Sequence, residues 1–285
     1  MKGFLIINKP TSITSFDVIR NVRNKLKEKK VGHVGTLDPF ASGVLIVALD
    51  RFNKLFFLFD ELDKEYIATG VFGESRDTDD IEGKTLEISN VENKLSKEEL
   101  ENIIKNNFLG EIEQIPPIYS AKKINGERAY KLARQNKTVE LKSVKVNIKS
   151  IELLEYNYPY FTIKVSVSKG TYIRSIIRDI GIITNNLAYT KDLERTAIGE
   201  FTINNSISID KISEENILSF FDMFNKIKKE VVEDKSDIRQ ILCGNTKLIE
   251  HYNFDDKHIA LVDNSNNLLA LITKNNKNVF SFVNS

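Results

Sequence analysis

The chain has 285 residues, of which 41% are hydrophobic and 28% charged, and its formal net charge is +1. These values are typical of a folded globular protein and exclude a disordered chain, a collagen-like repeat and a coiled coil. Apolar runs such as 55–59 are far shorter than the roughly 18 residues that cross a bilayer. The apolar run at 4–7 is too short for the core of a signal peptide. We therefore expect a cytoplasmic protein with no membrane partner.

The counts of metal-binding and charged residues narrow the class further. One cysteine cannot form an internal disulfide, and three histidines offer no zinc-finger spacing, so we expect no structural metal. Charge is segregated along the chain: residues 1–30 and 111–150 are strongly basic, whereas residues 74–101 are strongly acidic. The basic segments could form one positive face for phosphates, or the charge could be scattered and solvated. The counts leave both possibilities open.

The spacing of apolar residues predicts secondary structure along the whole chain. The predicted elements are a strand at 4–7, a helix with a stripe over 18–26, a strand or helix start at 44–49, a strand at 66–72, a helix from Ser96 closed by Gly110, a short helix at 129–134, strands at 144–151 and 161–167 with a turn at 156–160, a helix at 172–183, a strand at 198–203, a helix near 220–232, and short strands at 259–262 and 268–272. Strands and helices do not alternate regularly, which favours the α+β class. The short strands after residue 237, separated by Asp and Asn turns, predict a small C-terminal β-barrel.

The segment 32–43 places three glycines and a proline around one carboxylate, Asp38. Glycines allow close bending of the backbone, and Pro39 favours an extended conformation of Asp38, so the loop would present the carboxylate at its tip. The composition alone favours a simpler interpretation, an ordinary Asp-Pro turn.

The sequence of this segment, GHVGTLDPFASGVL, resembles the catalytic motif of the TruB family of tRNA pseudouridine synthases, whose nucleophilic aspartate falls on Asp38. Further family elements follow in the family's order over roughly residues 3–210: Asn8-Lys9-Pro10 with Thr14-Ser15, Lys64-Glu65-Tyr66, Asp77-Thr78-Asp79 with Gly83, the segment 116–123 (PPIYSAKK), Gly126 with Arg128-Ala129-Tyr130, the segment 168–174 (SKGTYIR), and Leu193 with Arg195-Thr196 and Gly199-Glu200-Phe201. Seven ordered elements make coincidence improbable, although each alone is a weak signal. Ser12 and Asp50 stand where the family usually has glycine, and Ile46 replaces a common proline, which puts local loop geometry in question.

The resemblance implies a fold, a domain organisation and a partner. It implies a pseudouridine synthase fold, with a central mixed, largely antiparallel sheet flanked by helices and loops. The catalytic domain would span residues 1–230, with an RNA-gripping insertion at about 111–142, and a small PUA-like domain would span residues 231–285. The implied substrate is the T stem-loop of tRNA, with no cofactor, no obligatory protein partner and a monomeric state.

The resemblance also implies a reaction, the isomerisation of uridine at position 55 to pseudouridine. The bond from ribose C1′ to N1 breaks and the base is reattached through C5. Asp38 would add covalently to the sugar or base, or would remove the C2′ proton to give a glycal, and the sequence leaves this choice open. Arg174 would keep Asp38 anionic through a planar guanidinium fork. Tyr66 would stack on the uracil or carry a proton at C5.

The remaining candidate residues would bind the substrate. By resemblance, His33 would help to splay the target nucleotide from the RNA loop. The other substrate-binding candidates are Lys9, the pocket-wall residues Tyr172 and Leu193, and the insertion residues Lys122, Lys123 and Arg128, whose charges suit phosphates.

Two other functions compete with this one. A guide-dependent synthase of the dyskerin-like branch shares the aspartate motif but relies on guide RNA and partner proteins, and the long insertion favours recognition without them. An RNA-folding chaperone with a vestigial pocket would not need the combination of Asp38, Tyr66 and Arg174.

Overall fold

The computed structural model of the protein describes residues 1–89, 94–120, 141–243, 245, 256–275 and 278–283, together with the backbone of two short strands at 123–124 and 127–128. Within these residues the chain forms one large mixed sheet, a smaller C-terminal sheet and two short two-stranded ribbons.

Helices and strands are interspersed along the chain, as predicted for the α+β class. In chain order they are β1 (Gly3–Lys9), α1 (Ser15–Leu26), β2 (Val31–Val34), β3 (Ser42–Leu49), α2 (Phe57–Asp60), β4 (Lys64–Phe72), β5 (Glu74–Arg76), β6 (Thr85–Ile88), α3 (Lys97–Phe108), β7 (Gly110–Gln114), β8 (Lys123–Ile124), β9 (Glu127–Arg128), β10 (Val144–Asn157), β11 (Tyr160–Val167), α4 (Ile173–Ile183), β12 (Ala188–Ile198), β13 (Phe201–Thr202), β14 (Ile207–Ser208), α5 (Phe220–Met223), β15 (Lys228–Val231), α6 (Lys235–Leu242), β16 (His258–Val262), β17 (Leu268–Asn275) and β18 (Asn278–Val283).

The large sheet has the strand order β14-β1-β3-β12-β4-β11-β10-β7, with β2 paired to β3 and β13 paired to β12. The pairs β1–β14 and β3–β12 are parallel, and the other pairs are antiparallel. The sheet is therefore mixed and largely antiparallel, which confirms the predicted fold class.

Helices cover the sheet through apolar stripes that the sequence predicted. Helix α1 buries Val18, Ile19, Val22 and Leu26, and Thr14 caps its first turn in a reciprocal hydrogen-bonded box with Asp17. Ser96 and Glu99 form the same arrangement at the start of α3. Helix α4 packs against the centre of the sheet and contributes Ile173, Ile176, Ile177 and Ile180 to its largest apolar cluster.

Three predicted elements were wrong in extent or type. The central strand β12 was missed because its buried positions include the polar residues Thr190 and Arg195, and the predicted strand at 198–203 is instead a hairpin that turns at Gly199. The predicted helix near 220–232 is one helical turn, α5, followed by strand β15. Strand β10 continues to Asn157, so the turn before β11 is shorter than predicted.

The C-terminal unit is an open sheet within the described residues, with strand order β15-β16-β17-β18, and not the predicted closed barrel. Its first strand begins at Lys228, slightly before the predicted domain boundary. Ala260, Leu268 and Leu271 lie in the same buried cluster as Phe52 and Phe59 of the large unit. The two sheets are therefore joined by shared apolar packing.

The backbone conformation shows why the family usually has glycine at positions 12 and 50. Ser12 and Asp50 have φ angles of 67° and 51°, in the left-handed region where glycine is favoured. In the described part of the chain, no helix is long and apolar enough to cross a membrane. The predicted helix at 129–134 lies outside the described residues.

Candidate active site

The loop between β2 and β3 carries Asp38 and is fixed by hydrogen bonds from the segment that begins α1. The Ser15 hydroxyl accepts from the Leu37 backbone N–H at 2.9 Å and donates to the Leu37 carbonyl at 3.1 Å. The Ser12 N–H donates to the Pro39 carbonyl at 2.8 Å. Both neighbours of Asp38 are therefore held, which fixes the position of the carboxylate between them.

A second support lies beneath the loop, where β3 and β12 run parallel. The Arg195 side chain is almost fully buried, donates from Nε to the Val44 carbonyl at 2.8 Å, and donates from Nη2 to the Gly35 carbonyl at 2.8 Å. A side chain at Gly43, whose φ is 108°, would place its Cβ 2.2 Å from the Arg195 carbonyl oxygen. This close backbone approach requires glycine at position 43.

Lys9 does not occupy the substrate-facing position that was predicted. Its side chain is fully buried, and its ammonium group donates to the carbonyls of Pro10, Ile13 and Pro39 at 2.9, 2.8 and 3.4 Å. Burial lowers the pKa of Lys9 to about 8, against the opposing attraction of Asp38. The amine joins the 10–13 loop to the Asp38 loop through these three carbonyl acceptors.

Arg174, at the start of α4, reaches Asp38 as predicted. Its Nε lies 3.0 Å from the Asp38 carboxylate, while Nη1 lies 3.1 Å from the Asp80 carboxylate and donates to the Thr78 carbonyl at 2.8 Å. Nη2 donates to the Tyr119 carbonyl at 3.0 Å. The guanidinium does not form a two-pronged fork on Asp38, because its other nitrogens hold two further segments.

The charge state of Asp38 depends on these neighbours. Its side chain keeps 36% of its surface exposed at the opening of the site, although protein surrounds it elsewhere. Burial raises the pKa of Asp38; Arg174 and Lys9 oppose this effect, and the nearby Asp80 carboxylate adds to it. A carboxylate with a raised pKa and a fixed cation is typical of a functional site.

Tyr66 and Leu193 lie together beside the Asp38 loop. Both are buried, and they belong to the same apolar cluster as Leu37 and Phe40, which flank Asp38 in the loop. Leu193 pairs with Ala68, two residues along β4 from Tyr66, so the two side chains share one face of the sheet. Tyr66 and Leu193 therefore belong to the apolar core that also holds the flanks of the Asp38 loop.

Tyr172 and His33 lie at the edges of this region. Tyr172 caps the start of α4, where its backbone N–H and carbonyl both bond to the Gln114 side-chain amide, at 2.8 and 3.0 Å. His33 lies on β2, and its buried Nδ1 has no hydrogen-bond partner among the residues that the structure describes. Burial lowers the pKa of His33, and Arg195 adds to the effect, so both favour the neutral form of the ring.

Of the three insertion residues, the structure describes the backbone of Lys123 and Arg128. Lys123 pairs with Arg128 in the ribbon β8–β9, and their side chains lie outside the described part of the structure. Lys122 lies outside the described residues altogether. Their roles stay predictions.

The sequence did not single out a second group of charged residues beside Arg174. Arg178, one turn further along α4, pairs with Asp79 at 3.0 Å and with Asp179 at 2.8 Å. Asp79 and Asp80 are adjacent in the chain, and each pairs with one of the two arginines. The signal in the sequence was the four-residue spacing of the arginines, which places both on one helix face.

The sequence of the chain is similar to a known family model and to named proteins of other organisms. Residues 23–173 match the model of the TruB family pseudouridylate synthase N-terminal domain. The tRNA pseudouridine synthase B of Clostridium tetani is 48% identical over 220 residues, which cover 77% of this chain and 75% of that protein. The tRNA pseudouridine synthase B of Clostridium novyi is 38% identical over 284 residues, covering 97% of each chain.

Two solved structures share the fold at low sequence identity. One chain of a Cbf5-Nop10-Gar1 complex superposes with a TM-score of 0.67 and 22% identity, covering 99% of this chain and 84% of that chain. A chain of an H/ACA RNP bound to a substrate RNA containing 2′-deoxyuridine gives a TM-score of 0.65 with 20% identity, covering 99% of this chain and 83% of that one. These similarities concern the fold.

Proposed function

The chain belongs to the TruB family of pseudouridylate synthases, and we propose that it isomerises one uridine in the T loop of tRNA, position 55, with Asp38 as the catalytic carboxylate. The observation that carries the proposal is the contact between Asp38 and Arg174, at 3.0 Å, in a loop whose residues Leu37 and Phe40 share an apolar cluster with Tyr66 and Leu193. A carboxylate with a fixed cation beside it, close in the chain to buried apolar side chains, suits this chemistry. The relatives named tRNA pseudouridine synthase B support tRNA as the substrate.

The reaction needs little from the protein beyond this arrangement. The bond from C1′ to N1 breaks, a bond from C1′ to C5 forms, the proton on C5 is lost, and N1 gains a proton. Asp38 acts on the ribose or base as a nucleophile, or as the base that removes the C2′ proton, and both routes require the carboxylate form. Arg174 maintains that form against the effect of burial on the Asp38 pKa.

The other candidate residues assist in holding the base. Tyr66 stacks on the uracil, or its hydroxyl carries the C5 proton, while Leu193 and Tyr172 exclude water from the intermediate. A neutral His33 ring suits contact with an unstacked base at the entrance, because a neutral ring buries against a base at lower cost than a cation.

A basic, aromatic helix face beside the Asp38 loop supports binding of RNA. Phe16 on α1 is 55% exposed, and the guanidinium groups of Arg20 and Arg23 lie 5.7 and 5.9 Å from the centre of its ring. Ser15, the residue before Phe16, is the one bonded to Leu37. Phosphates and exposed bases are the ligands that such a combination suits.

The guide-dependent alternative differs from the proposal in what the enzyme needs. The fold neighbours in the Cbf5 and H/ACA structures lie near 20% identity, against 38 to 48% for the tRNA pseudouridine synthase B relatives. The greater identity favours recognition of tRNA without a guide RNA or partner protein. A chaperone without catalysis would have no use for the Asp38–Arg174 contact.

The direct test is turnover on an unmodified tRNA transcript labelled with tritium at C5 of uridine, with no added factor. Because C5 loses its hydrogen when the new carbon–carbon bond forms, we expect about one equivalent of tritium released per tRNA and pseudouridine at position 55 alone. Release that appears only when guide RNA or partner proteins are supplied would favour the dyskerin-like reading. Tight binding without release would favour the chaperone.

A further inference from the structure

Helix α4 holds residues 115–120, near the start of the predicted RNA-gripping insertion. The Ser175 hydroxyl donates to the Ile115 carbonyl at 2.8 Å, and Arg178 Nη2 donates to the same carbonyl at 2.9 Å. Arg174 Nη2 donates to the Tyr119 carbonyl at 3.0 Å. The segment 115–120 lies near the start of the predicted insertion, 111–142, and is bonded to α4 at Ile115 and at Tyr119.

The same two arginines also hold the adjacent aspartates of the 77–83 turn. Arg174 pairs with Asp80, and Arg178 pairs with Asp79, at 3.1 and 3.0 Å. The Asp80 side chain keeps 5% of its surface exposed and that of Asp79 keeps 13%, so both pairs are shielded from water. Shielded pairs are screened less by salt than exposed ones, and removing one partner leaves an uncompensated charge.

Arg174 and Arg178 therefore act on the same two segments, but only Arg174 touches Asp38. A shift of the 115–120 segment away from α4 moves the Tyr119 carbonyl, which is a partner of Arg174. A shift of the 77–83 turn moves Asp80, which is its other partner. Arg178 opposes both shifts because it holds Ile115 and Asp79 at once.

We infer that Arg178 and Asp79 are positioning residues that link the predicted RNA-gripping insertion to the catalytic pair, by keeping the 115–120 segment and the 77–83 turn in the places where Arg174 contacts Asp38. The inference rests on the proposed function and adds a coupling between the grip on RNA and the chemistry. Tension on the insertion when RNA binds is transmitted to Arg174 through residues 115–120.

The first test compares three variants in single-turnover reactions on tRNA at saturating enzyme. Arg178→Gln and Asp79→Asn should each lower the bound-state rate by about tenfold to a hundredfold, the scale of a misplacement near 1 Å. The double variant should be no slower than Arg178→Gln, because the interaction with Asp79 is already lost in that variant. The affinity for tRNA should stay within about threefold, which assigns the loss to the chemical step.

Asp179→Asn is the matched control. It removes the other carboxylate partner of Arg178 but leaves the contacts with Asp79 and Ile115 in place. We expect its rate to stay within about twofold of wild type. A loss in Asp179→Asn equal to that in Asp79→Asn would overturn the inference, since it would reflect a general disturbance of the arginine.

The pH profile provides a readout that a loss of folding would not move. The charged groups that face Asp38 are Arg174 from α4, Asp80 and Glu82 from the 77–83 turn, and Lys9 from β1. When Arg174 moves away, the pKa of Asp38 rises further, so the carboxylate is lost at a higher pH. The acid limb of the rate should therefore shift upward in Arg178→Gln and in Asp79→Asn, and not in Asp179→Asn.

Hydrogen exchange of the free protein tests the same coupling without activity. Arg178→Gln should speed amide exchange across residues 115–120, and Asp179→Asn should not. Wild-type exchange and wild-type rates in Arg178→Gln would overturn the inference. Failure of the wild-type enzyme to release tritium from any tRNA would instead overturn the proposed function and leave the exchange result to decide the coupling. If Arg178→Gln does not fold, the near-isosteric Asp79→Asn decides the outcome by its rate and pH profile.

Discussion

Burial of the Lys9 ammonium group makes the free energy of unfolding depend on pH in the alkaline range. Its pKa is about 8 in the folded protein and ordinary, near 10.5, in the unfolded chain. Between these values the unfolded chain binds a proton that the folded protein lacks, so this contribution to the free energy of unfolding rises with pH from about 8 to about 10.5 and is constant below 8. The full contribution is up to about 3 kcal/mol.

Lys9→Met removes this titration. We expect the stability of wild type relative to Lys9→Met, measured by urea unfolding, to increase between pH 7.5 and 10, while other groups cancel in the comparison. If the free energy of unfolding depends on pH equally in the two proteins, the Lys9 amine has the same pKa folded and unfolded, which would contradict its burial in the structure.

Arg174 is tested by a substitution that keeps its charge. In Arg174→Lys one ammonium replaces three nitrogens that together reach Asp38, Asp80, Thr78 and Tyr119. A point charge cannot occupy all these positions, so we expect the single-turnover rate to fall by at least about a hundredfold with tRNA affinity nearly unchanged. A lysine variant with normal turnover would show that charge alone is sufficient.

At the scale of elements, the pairing of β3 with β12 supports the Asp38 loop and depends on Gly43. Gly43→Ala adds a Cβ that meets the Arg195 backbone at 2.2 Å, and Gly73→Ala adds one with nothing within 4 Å. Both glycines have a similar φ, 108° and 111°, so backbone strain is common to the two variants.

The difference between the two alanine variants isolates the steric contact. We expect Gly43→Ala to be less stable than Gly73→Ala by roughly 1 to 3 kcal/mol in urea unfolding, and to lose activity because Arg195 and the loop above it shift. Equal stability of the two variants would show that β3 and β12 separate without cost.

Elements with clean periodicity were predictable and the central strand was not. The stripes of α1 and α4 and the capping residues Thr14 and Ser96 are local signals, and the structure confirms these helices. Strand β12 mixes buried Leu193 and Arg195 with polar residues, because the fully buried Arg195 serves the loop and not the apolar core. Because Arg195 is charged, its position in the sequence has the pattern of an exposed residue although the side chain is buried.

The site residues that lie in sequence motifs could be predicted, whereas contacts between segments that are distant in the chain could not. The sequence brought Asp38, Arg174 and Tyr66 together through resemblance, and the structure places Arg174 on Asp38. Asp80 was not found because its relation to Arg174 spans more than 90 residues and depends on the packing of α4. Lys9 was a substrate-binding candidate from the family element Asn8-Lys9-Pro10, and only the packed loops show its burial and its three carbonyl partners.

At the scale of the whole molecule, the distribution of charge predicts how the protein grips its RNA. Neutralising Lys122, Lys123 and Arg128 should weaken tRNA binding far more than it slows bound tRNA. Each lost phosphate contact should flatten the slope of log affinity against log salt by about 0.9. Measurement of affinity at several salt concentrations checks this, and an unchanged slope would move the grip to the basic face of α1, with Arg20 and Arg23.

The central claim is that the Asp38 carboxylate carries out the isomerisation, and Asp38→Asn tests it most directly. The amide keeps the size of the side chain but acts neither as nucleophile nor as base. It also replaces a carboxyl group whose pKa is raised in the folded protein, and the ionised form of such a group lowers the stability of the fold at higher pH. The variant should therefore fold at least as well as wild type at pH 7 and bind tRNA nearly as tightly. Its single-turnover release of tritium from C5 should fall by at least roughly a thousandfold. A rate within tenfold of wild type in the folded variant would contradict the account.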